Sequence, residues 1–279
     1  MGVADRVSGP GPKVVSERVA VSGNVRGPGA CPEGCKGANA HEIAEARSSA
    51  RRNGYYGRRF GRRLRPGRRR LLEILLPEVL MTLPPEGTRR VDPRPSFTPP
   101  PEEVRLEVGF GMGEHLADQA ERHPEVGFIG CEPFVNGVAS LLRHIEASGL
   151  GNVRIYPDDG RRLVAALADA SIARIVALFP DPWPKARHHK RRLIQAETLD
   201  AFARILEDGG ELRLATDHAE YARWMLFCLS RHEAFAWAAR GPSDWRRRPA
   251  DQAETRYEAK TREEGRRPIF LTFRRLPRG

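Results

Sequence analysis

The chain has 279 residues, 40% of them hydrophobic, which is enough to fill the core of one large domain or two small ones and excludes a wholly disordered protein. The longest apolar run, residues 71–81, is interrupted by two acids and a proline, so no segment provides the roughly 20 apolar residues of a membrane helix. The formal net charge is +11, and the four scattered cysteines, with no signal-like N-terminal segment, predict a cytoplasmic protein with reduced thiols.

The N-terminal hundred residues show three compositions in succession. Residues 1–50 are rich in Gly, Pro, Ser and Ala, which predicts a disordered tail. Residues 51–70, RRNGYYGRRFGRRLRPGRRR, contain ten arginines and no acid and so carry nearly all of the excess charge. Arginine at this density, with aromatic residues between, suits phosphate neutralisation and base stacking; the alternative is a solvated targeting or solubilising arm. Residues 71–81 look helical, and the prolines that follow predict a linker or wrapping arm up to residue 103.

From Val104 onward, short apolar runs alternate with segments of helical period, which is the pattern of repeated βα units. Six strands are predicted, over residues 104–109, 127–132, 153–158, 174–179, 211–216 and 269–274. Helices with one apolar stripe are predicted over residues 134–145, 199–206 and 221–229. Asp208-Gly209-Gly210 is predicted to stop the second of these helices. We therefore expect a doubly wound, mostly parallel, Rossmann-like α/β domain over residues 104–279, after the disordered tail (1–50) and the basic arm and linker (51–103).

A glycine-rich loop follows the first predicted strand, in the sequence Glu107-Val-Gly-Phe-Gly-Met-Gly113. Its glycines, Gly109, Gly111 and Gly113, allow the backbone to approach a ligand closely, but the spacing differs from the G-x-G-x-x-G of dinucleotide-binding loops. An acid before such a loop and a second acid, Glu132, at the end of the next strand are the arrangement of S-adenosylmethionine enzymes. Glu107 would face the cationic methionine end and Glu132 would accept from the ribose hydroxyls. The alternative is a tight strand-to-helix turn without a ligand.

Two acids, Asp158 and Asp159, follow the third strand, where a carboxylate could meet the adenine amino group of the same cofactor. The sequence leaves open which of the two does so, and the other is expected to cap the next helix at Arg161.

The most distinctive segment, FPDPWPKARHHKRR, follows the fourth strand, at the sheet edge where open α/β folds bind ligands. Three prolines restrict the backbone around Asp181 and Trp183, which makes a constrained site for a planar base. A carboxylate can accept two hydrogen bonds from the N1–H and N2–H₂ edge of guanine, and the basic run that follows can hold a phosphate backbone. A proline-rich surface loop before a solvated basic helix is the alternative.

Three further segments carry less information. Thr216-Asp217 ends the fifth strand, and Thr255-Arg-Tyr-Glu258 precedes the last strand; on spacing alone, each is more typical of a helix cap or loop contact than of a site. Cys31, Cys35 and His41 lack a second cysteine pair, so no metal site is predicted. Cys131 and Cys228 are interpreted as core residues.

Taken in order, LEVGFGMGEHL, FIGCEP, FPDPWPKARHHKRRLIQ, LATD and TRYE resemble the bacterial tRNA (guanine-N7-)-methyltransferase family, over about residues 55–276. The resemblance implies a class I S-adenosylmethionine-dependent fold and a cofactor and catalytic site at Glu107, Glu132, Asp159 and Asp181. It also implies substrate contacts at Lys185, Asp217, Thr255, Arg256, Tyr257 and Glu258. The chain departs from the family in His189, where relatives often have Asn, and in its long N-terminal tail.

The same resemblance implies methyl transfer from S-adenosylmethionine to N7 of the guanine at position 46 in the tRNA variable loop, with Asp181 as the catalytic residue. tRNA is the expected partner, without membrane or metal, and a monomer is the expected state. The arginine tract is expected to add affinity for tRNA, so that deletion of residues 1–70 would flatten the salt dependence of binding without abolishing cofactor binding. The alternatives are a methyltransferase for another RNA and a non-catalytic RNA-binding protein.

Overall fold

The computed structural model describes residues 57–85 and 87–279, and the predicted tail over residues 1–50 lies outside them. Among the described residues, no helix is long and apolar enough to cross a membrane. Two short helices, α1 (Pro66–Ile74) and α2 (Leu76–Val79), come first, followed by a 3₁₀ turn at Arg94–Ser96. The predicted helix over residues 71–81 is divided in two. Helix α1 begins earlier, at Pro66, and ends at Ile74, and a second helix begins at Leu76, with Pro77 in its first turn.

The rest of the described chain alternates strands and helices. The strands are β1 (Val104–Val108), β2 (Gly127–Cys131), β3 (Val153–Tyr156), β4 (Ile172–Leu178), β5 (Leu206–Thr216), β6 (Phe235–Trp237) and β7 (Ile269–Arg275). The helices are α3 (Glu114–Arg122), α4 (Val135–Ser148), α5 (Gly160–Ala166), α6 (Ala196–Ile205), α7 (Ala219–Leu229), α8 (Ser243–Arg246) and α9 (Arg256–Glu263), with a 3₁₀ turn at Ala186–Arg191.

All seven strands form one sheet in the order β3-β2-β1-β4-β5-β7-β6. The first five strands in that order are parallel, and β7 runs antiparallel to both β5 and β6. The prediction of a mostly parallel, doubly wound sheet is confirmed. Since β1 and β4 are neighbours and their connections leave in opposite directions along the sheet, the loops after them flank the crevice in which such folds bind ligands.

The fifth strand differs from the prediction. Helix α6 ends at Ile205 and β5 begins at the next residue, where Leu206 pairs with Ile172. Asp208-Gly209-Gly210 is therefore not a helix stop; these residues lie within a register shift of β5, and Gly209 has φ +81°. The extra residues are accommodated as a bulge, which glycine permits. The short strand β6 was not predicted at all.

Two apolar clusters cover the two faces of the sheet. One packs α3 and α4 on the sheet together with Leu71, Leu76 and Val79 from α1 and α2. The other packs α5, α6 and α7, through residues such as Phe202 and Tyr221. Cys131 is buried and Cys228 half-buried, and burial raises the pKa of the Cys131 thiol, as expected for a core residue.

The proline-rich segment wraps around the sheet rather than hanging free. Leu80 and Val91 each form a single parallel bridge, with Ile155 and Leu167 respectively. Phe97 is buried, and the guanidinium of Arg154 lies 4.8 Å from the centre of its ring. Residues of this segment therefore cover β3, the strand at the edge of the sheet, whose outer backbone N–H and C=O groups would otherwise be unpaired.

Candidate active site at the carboxyl edge of the sheet

A cleft of about 500 Å³ opens at the carboxyl edge of the parallel strands. Its walls are the loops after β1, β2, β3 and β4, together with residues from the segment before α9 and from the N-terminal arginine tract. Of the residues predicted for the site, the cleft is lined by Glu107, Gly109, Gly111, Glu132, Asp159, Asp181, Thr255, Arg256 and Tyr257.

The glycine loop needs glycine for two different reasons. Gly109, Gly111 and Gly113 have φ values of +76°, +57° and +82°, a region that favours glycine. Helix α4 also presses on the loop: a Cβ on Gly137 would lie 2.1 Å from the carbonyl oxygen of Gly111. At Gly109 and Gly111 the backbone of the loop therefore lines the cleft and is held from behind by α4, whereas Gly113 is buried against Leu141 of that helix.

The acid at the end of β2 is tied to this loop. The backbone N–H groups of Gly111 and Phe134 donate to the two oxygens of Glu132, each at 2.9 Å. Burial raises the pKa of Glu132, against the lowering effect of those two hydrogen bonds, and the nearby Asp181 and Glu107 raise it further. One carboxylate thus fixes the loop and still faces the cleft.

Glu107 is buried at the floor of the cleft and has a partner that the sequence analysis missed. Nδ1 of His115 lies 2.7 Å from Oε2 of Glu107, and both side chains are buried. His115 is the second residue of α3, so the strand and the helix that the glycine loop joins are linked again by their side chains. The position of His115 in the first turn of the helix after the loop was the available signal, although a histidine there is commonly a core residue.

The pair of acids after β3 is arranged differently from the prediction. Asp159 lines the cleft and is also the N-cap of α5, where its side chain accepts from the Arg161 N–H at 3.0 Å. Asp158 is buried and pairs with Arg59 at 2.6 Å and Arg162 at 3.2 Å. The expectation that the two acids would divide the ligand-facing and capping positions is therefore wrong: Asp159 occupies both.

Arg59 belongs to a segment, residues 57–62, that we call the strap. The Val135 N–H donates to the Arg59 carbonyl at 3.0 Å, and Asn136 exchanges two hydrogen bonds with Gly61 and Arg62, at 2.9 and 2.8 Å. Gly57 and Arg58 line the cleft. The arginine tract therefore contributes part of the cleft wall, a role that its composition did not reveal.

The loop after β4 is bounded by two residues in strained backbone conformations. Phe179 has φ +52° and Trp183 has φ +42°, values that are unusual for residues other than glycine. Between them, Asp181 lines the cleft at an exposed position, and neighbouring atoms displace enough water to raise the pKa of its carboxyl. The guanidinium of Arg191 lies 5.0 Å from the centre of the Trp183 ring, which places a cation and an aromatic ring beside Asp181.

Residues 255–258 form the N-cap and the first residues of α9. The Thr255 hydroxyl caps the helix by accepting from the Glu258 N–H at 3.2 Å, while Glu258 is buried and accepts from Nε of Arg248 at 2.9 Å. Arg256 pairs with Glu114 at 3.2 Å. The Tyr257 ring is 47% exposed and lies 4.9 Å from the Phe179 ring. The tetrapeptide therefore is a helix cap that also presents an aromatic ring and a cation to the cleft.

Two predicted substrate contacts lie at the margin of the cleft. Asp217 is paired with Arg266, and the Tyr257 hydroxyl lies 3.4 Å from each of its carboxylate oxygens. Asp217 does not line the cleft itself but contacts Tyr257, which does. Lys185 is exposed and directly precedes the basic 3₁₀ turn Ala186–Arg191. Within the described part of the chain, no cluster of three or more His, Cys, Asp or Glu side chains is arranged to hold a metal ion. Cys31, Cys35 and His41 lie outside that part.

The cleft offers a ligand both hydrogen-bond acceptors and cations, because carboxylates and the arginines Arg58, Arg161, Arg191, Arg192 and Arg256 line it. Five carboxylates line it, those of Glu107, Glu114, Glu132, Asp159 and Asp181, and the glycine loop leaves its backbone accessible. Of these, Glu114 is paired with Arg256. Carboxylates accept hydrogen bonds from hydroxyl and amino groups and stabilise positive charge.

Comparisons with known proteins show the family to which the chain belongs. Residues 101–271 match a family described as "Putative methyltransferase". A tRNA (guanine-N(7)-)-methyltransferase of Rhodospirillum rubrum is 52% identical over 225 residues, which are 80% of this chain and 88% of that protein. The proteins of the same name from Paramagnetospirillum magneticum and Nitrobacter hamburgensis are 48% and 44% identical, over 83% and 85% of this chain and 96% and 92% of their own lengths. The matched region contains the glycine loop and all five cleft carboxylates, and the chain belongs to the tRNA (guanine-N7-)-methyltransferase family.

Proposed function

We propose that this protein transfers a methyl group from S-adenosylmethionine to N7 of a guanine in tRNA, at position 46 of the variable loop. One observation of the structure carries the proposal. Asp181 opens on the same cleft as Glu107, Glu132 and Asp159, so a base bound at Asp181 would meet a cofactor bound by the other three. The names of the family relatives supply the tRNA and the guanine N7.

The cofactor residues are proposed from the donor set of the cleft. Glu107 would accept from the ammonium of the methionine end, Glu132 from the ribose hydroxyls and Asp159 from the adenine amino group. Gly109, Gly111 and Gly113 would let the backbone approach the ligand, and Asp181 would face the reacting end. When bound, S-adenosylmethionine supplies an electrophilic methyl group.

The main requirement of the reaction is that the protein position the guanine base relative to the methyl group. Guanine N7 carries an in-plane lone pair and no proton, so no general base is required for its attack. Asp181 would hold the base by accepting from N1–H and N2–H₂, and orientation of this kind is worth several kcal/mol. Methylation at N7 makes the guanine cationic and its N1–H a stronger donor, so the same carboxylate would also stabilise the positive charge that develops on the base.

The tRNA contacts are proposed to divide into direct and supporting ones. Tyr257 and Arg256 reach the cleft and would contact the substrate directly, as would the exposed Lys185 at its margin. Thr255 and Glu258 would support them by capping and anchoring α9, and Asp217 would support Tyr257. We propose that the protein acts on tRNA as a monomer in the cytoplasm.

The test is methyl transfer from labelled S-adenosylmethionine to unmodified tRNA transcripts with guanine or adenine at the variable-loop site. Label should appear only with guanine and should make the RNA cleavable there by N7-specific chemistry. Asp181→Ala should lower kcat by at least about 100-fold, as expected for a residue that orients and stabilises the reacting base. Asp200→Ala, at an exposed carboxylate that contacts His232, serves as the matched control and should retain kcat.

The alternatives give different results in the same assay. A methyltransferase for another RNA would bind the cofactor and label none of the tRNAs. A non-catalytic RNA-binding protein would bind tRNA and label no RNA. Near-wild-type kcat in Asp181→Ala would overturn the role of Asp181 while leaving the substrate intact.

A further inference from the structure

We propose that Arg192 is a positioning residue for Asp181: it fixes the loop Pro180-Asp181-Pro182 by holding the Pro182 carbonyl. Nε of Arg192 donates to that carbonyl at 2.9 Å, one residue beyond Asp181. This inference rests on the catalytic role proposed for Asp181.

The loop depends on such a contact because of its composition. Pro180, Pro182 and Pro184 have no N–H group, so they cannot anchor the loop by donating hydrogen bonds. The last sheet hydrogen bond before the loop is donated by the Phe179 N–H to the Ala215 carbonyl, at 2.8 Å. The strained conformations of Phe179 and Trp183 on either side must be maintained by surrounding structure. A donor aimed at a loop carbonyl supplies such a restraint.

Arg192 is itself held rigidly. Its side chain is fully buried (0% exposed), and Nη2 donates to Oε1 of Glu220 at 2.7 Å. The guanidinium lies 5.1 Å from the centre of the Tyr221 ring and 5.3 Å from that of Trp224. A planar guanidinium suits stacking on aromatic rings while it donates along its edges, which lysine cannot reproduce.

These three partners of Arg192 lie on α7, which also holds the chain just beyond it. The Trp224 indole N–H donates to the Ile194 carbonyl at 2.7 Å, and the Ile194 N–H donates to the Tyr221 hydroxyl at 3.3 Å. Helix α7 therefore anchors residues 192–194, and Arg192 transmits that anchorage to the loop that carries Asp181.

The experiment measures kcat and S-adenosylmethionine affinity for Arg192→Lys, alone and combined with Asp181→Ala. We expect Arg192→Lys to lower kcat by about 10- to 100-fold, because a displacement of about 1 Å in a reacting group can have an effect of that size. The dissociation constant for S-adenosylmethionine should change by less than about threefold. In the Asp181→Ala background, the substitution should change the residual kcat by less than about twofold, because the group being positioned is absent.

Arg204→Lys is the matched control. Arg204 also holds backbone carbonyls, donating to Leu167 at 2.7 Å and Val164 at 2.6 Å, but these carbonyls lie at the end of α5, away from the cleft. It should lower thermal stability and leave kcat unchanged. If Arg192→Lys behaves in the same way, or lowers kcat equally with and without Asp181, the positioning role is overturned.

If Arg192→Lys does not fold, Glu220→Ala decides the question. The Glu220 side chain is 45% exposed, so its loss leaves the core intact while it releases the Arg192 fork. We then expect a fall in kcat with unchanged cofactor affinity, and an unchanged kcat would overturn the inference. Asp181→Ala with wild-type kcat would instead refute the proposed function, so the two failures are distinguishable.

Discussion

Gly137 shows how a residue outside a binding loop can determine its shape. It lies in the first turn of α4, close enough to the Gly111 carbonyl that any side chain would overlap it. Because the Glu132 carboxylate accepts from the Gly111 N–H, displacement of the loop would also move that acid's hydrogen-bond partner.

We predict that Gly137→Ala weakens S-adenosylmethionine binding at least about tenfold and destabilises the fold by about 1–3 kcal/mol, as expected for overpacking. Isothermal titration and thermal denaturation would measure the two effects. Gly151→Ala is the control, because a Cβ added to Gly151 would have nothing within 4 Å and its φ is not in the left-handed region. Wild-type cofactor affinity in Gly137→Ala would show that the loop relaxes freely.

The raised pKa of Glu132 predicts a pH dependence of cofactor binding. Burial disfavours the charged form, so this carboxyl takes up a proton at a higher pH than an ordinary glutamate does. The ionised form of Glu132 is the better acceptor for ribose hydroxyls. As the pH is lowered from neutrality, S-adenosylmethionine affinity should therefore begin to fall at a higher pH than that at which an ordinary glutamate takes up a proton. Titration calorimetry below neutral pH measures this dependence of affinity on pH. Glu132→Gln should flatten the affinity profile. Glu146→Gln, at an exposed position of α4, should leave it unchanged.

At the residue scale, the sequence indicated the acids of the site but not their assignments. Glu107, Glu132 and Asp181 each end a strand or follow it closely, and parallel strands bring such positions to one edge. The placement of Asp158 away from the cleft and of Asp159 at both the cap and the cleft depended on Arg59, 99 residues before Asp158, and on the cap geometry of α5. No local pattern contains that information.

At the scale of elements, the arginine tract has two parts: the strap, whose Arg59 is paired with a buried acid, and the residues after it, such as Arg63, which are exposed. Arg59 pairs with Asp158 behind the cleft, whereas Arg63, the first residue after the strap, is exposed. Deletion of residues 1–70 would therefore remove part of the cleft wall along with charges that face solvent, and it cannot separate tRNA binding from cofactor binding.

Single substitutions in the strap and beside it can separate them. We predict that Arg59→Ala raises the dissociation constant for S-adenosylmethionine about threefold to tenfold, because it removes an ion pair that anchors the wall of the cleft. Arg63→Ala removes the same charge and should leave cofactor affinity unchanged while it weakens tRNA binding. Equal effects of the two variants on cofactor affinity would contradict the structural role of the strap.

Elements were predictable where they carried a periodic apolar pattern. The strands β1 to β4 and helices α4, α6 and α7 have such a pattern and were located within a few residues. The strand β6 has three residues, Phe235–Trp237, and exists because β7 offers it a partner. The early start of β5 likewise depends on pairing with β4 across a bulge, which a propensity argument at Asp208-Gly209-Gly210 cannot detect.

At the scale of the whole molecule, the distribution of charge determines how tRNA is approached. Exposed arginines of the tract, such as Arg63 and Arg65, follow the strap, which contacts Asn136 at the start of α4, on the carboxyl side of the sheet. Arg89 and Arg122 lie toward the amino edge of the sheet. The Arg122 side chain is also paired with Asp118.

We predict that replacing Arg63 and Arg65 together by Gln lowers the slope of log affinity against log salt concentration by about 1.5 in tRNA binding, as expected for the loss of two phosphate contacts. Fluorescence titrations at several salt concentrations would measure the slope. Replacing Arg89 and Arg122 by Gln removes the same charge at the other edge and should leave the slope unchanged. Identical slopes for the two double variants would mean that the tract acts only through net charge.

The sequence by itself determined the fold class, the edge at which the cleft lies and the residue types that line it. It could do so because apolar period, glycine spacing and strand-ending acids are local properties of a chain. Only the tertiary structure decided that Asp159 both caps a helix and faces the cleft, and that the arginine strap forms part of one wall. It also decided that His115 contacts Glu107 and that Arg192 holds the loop that carries Asp181. These are contacts between side chains distant in sequence, which exist only once the sheet has brought its strands and helices together.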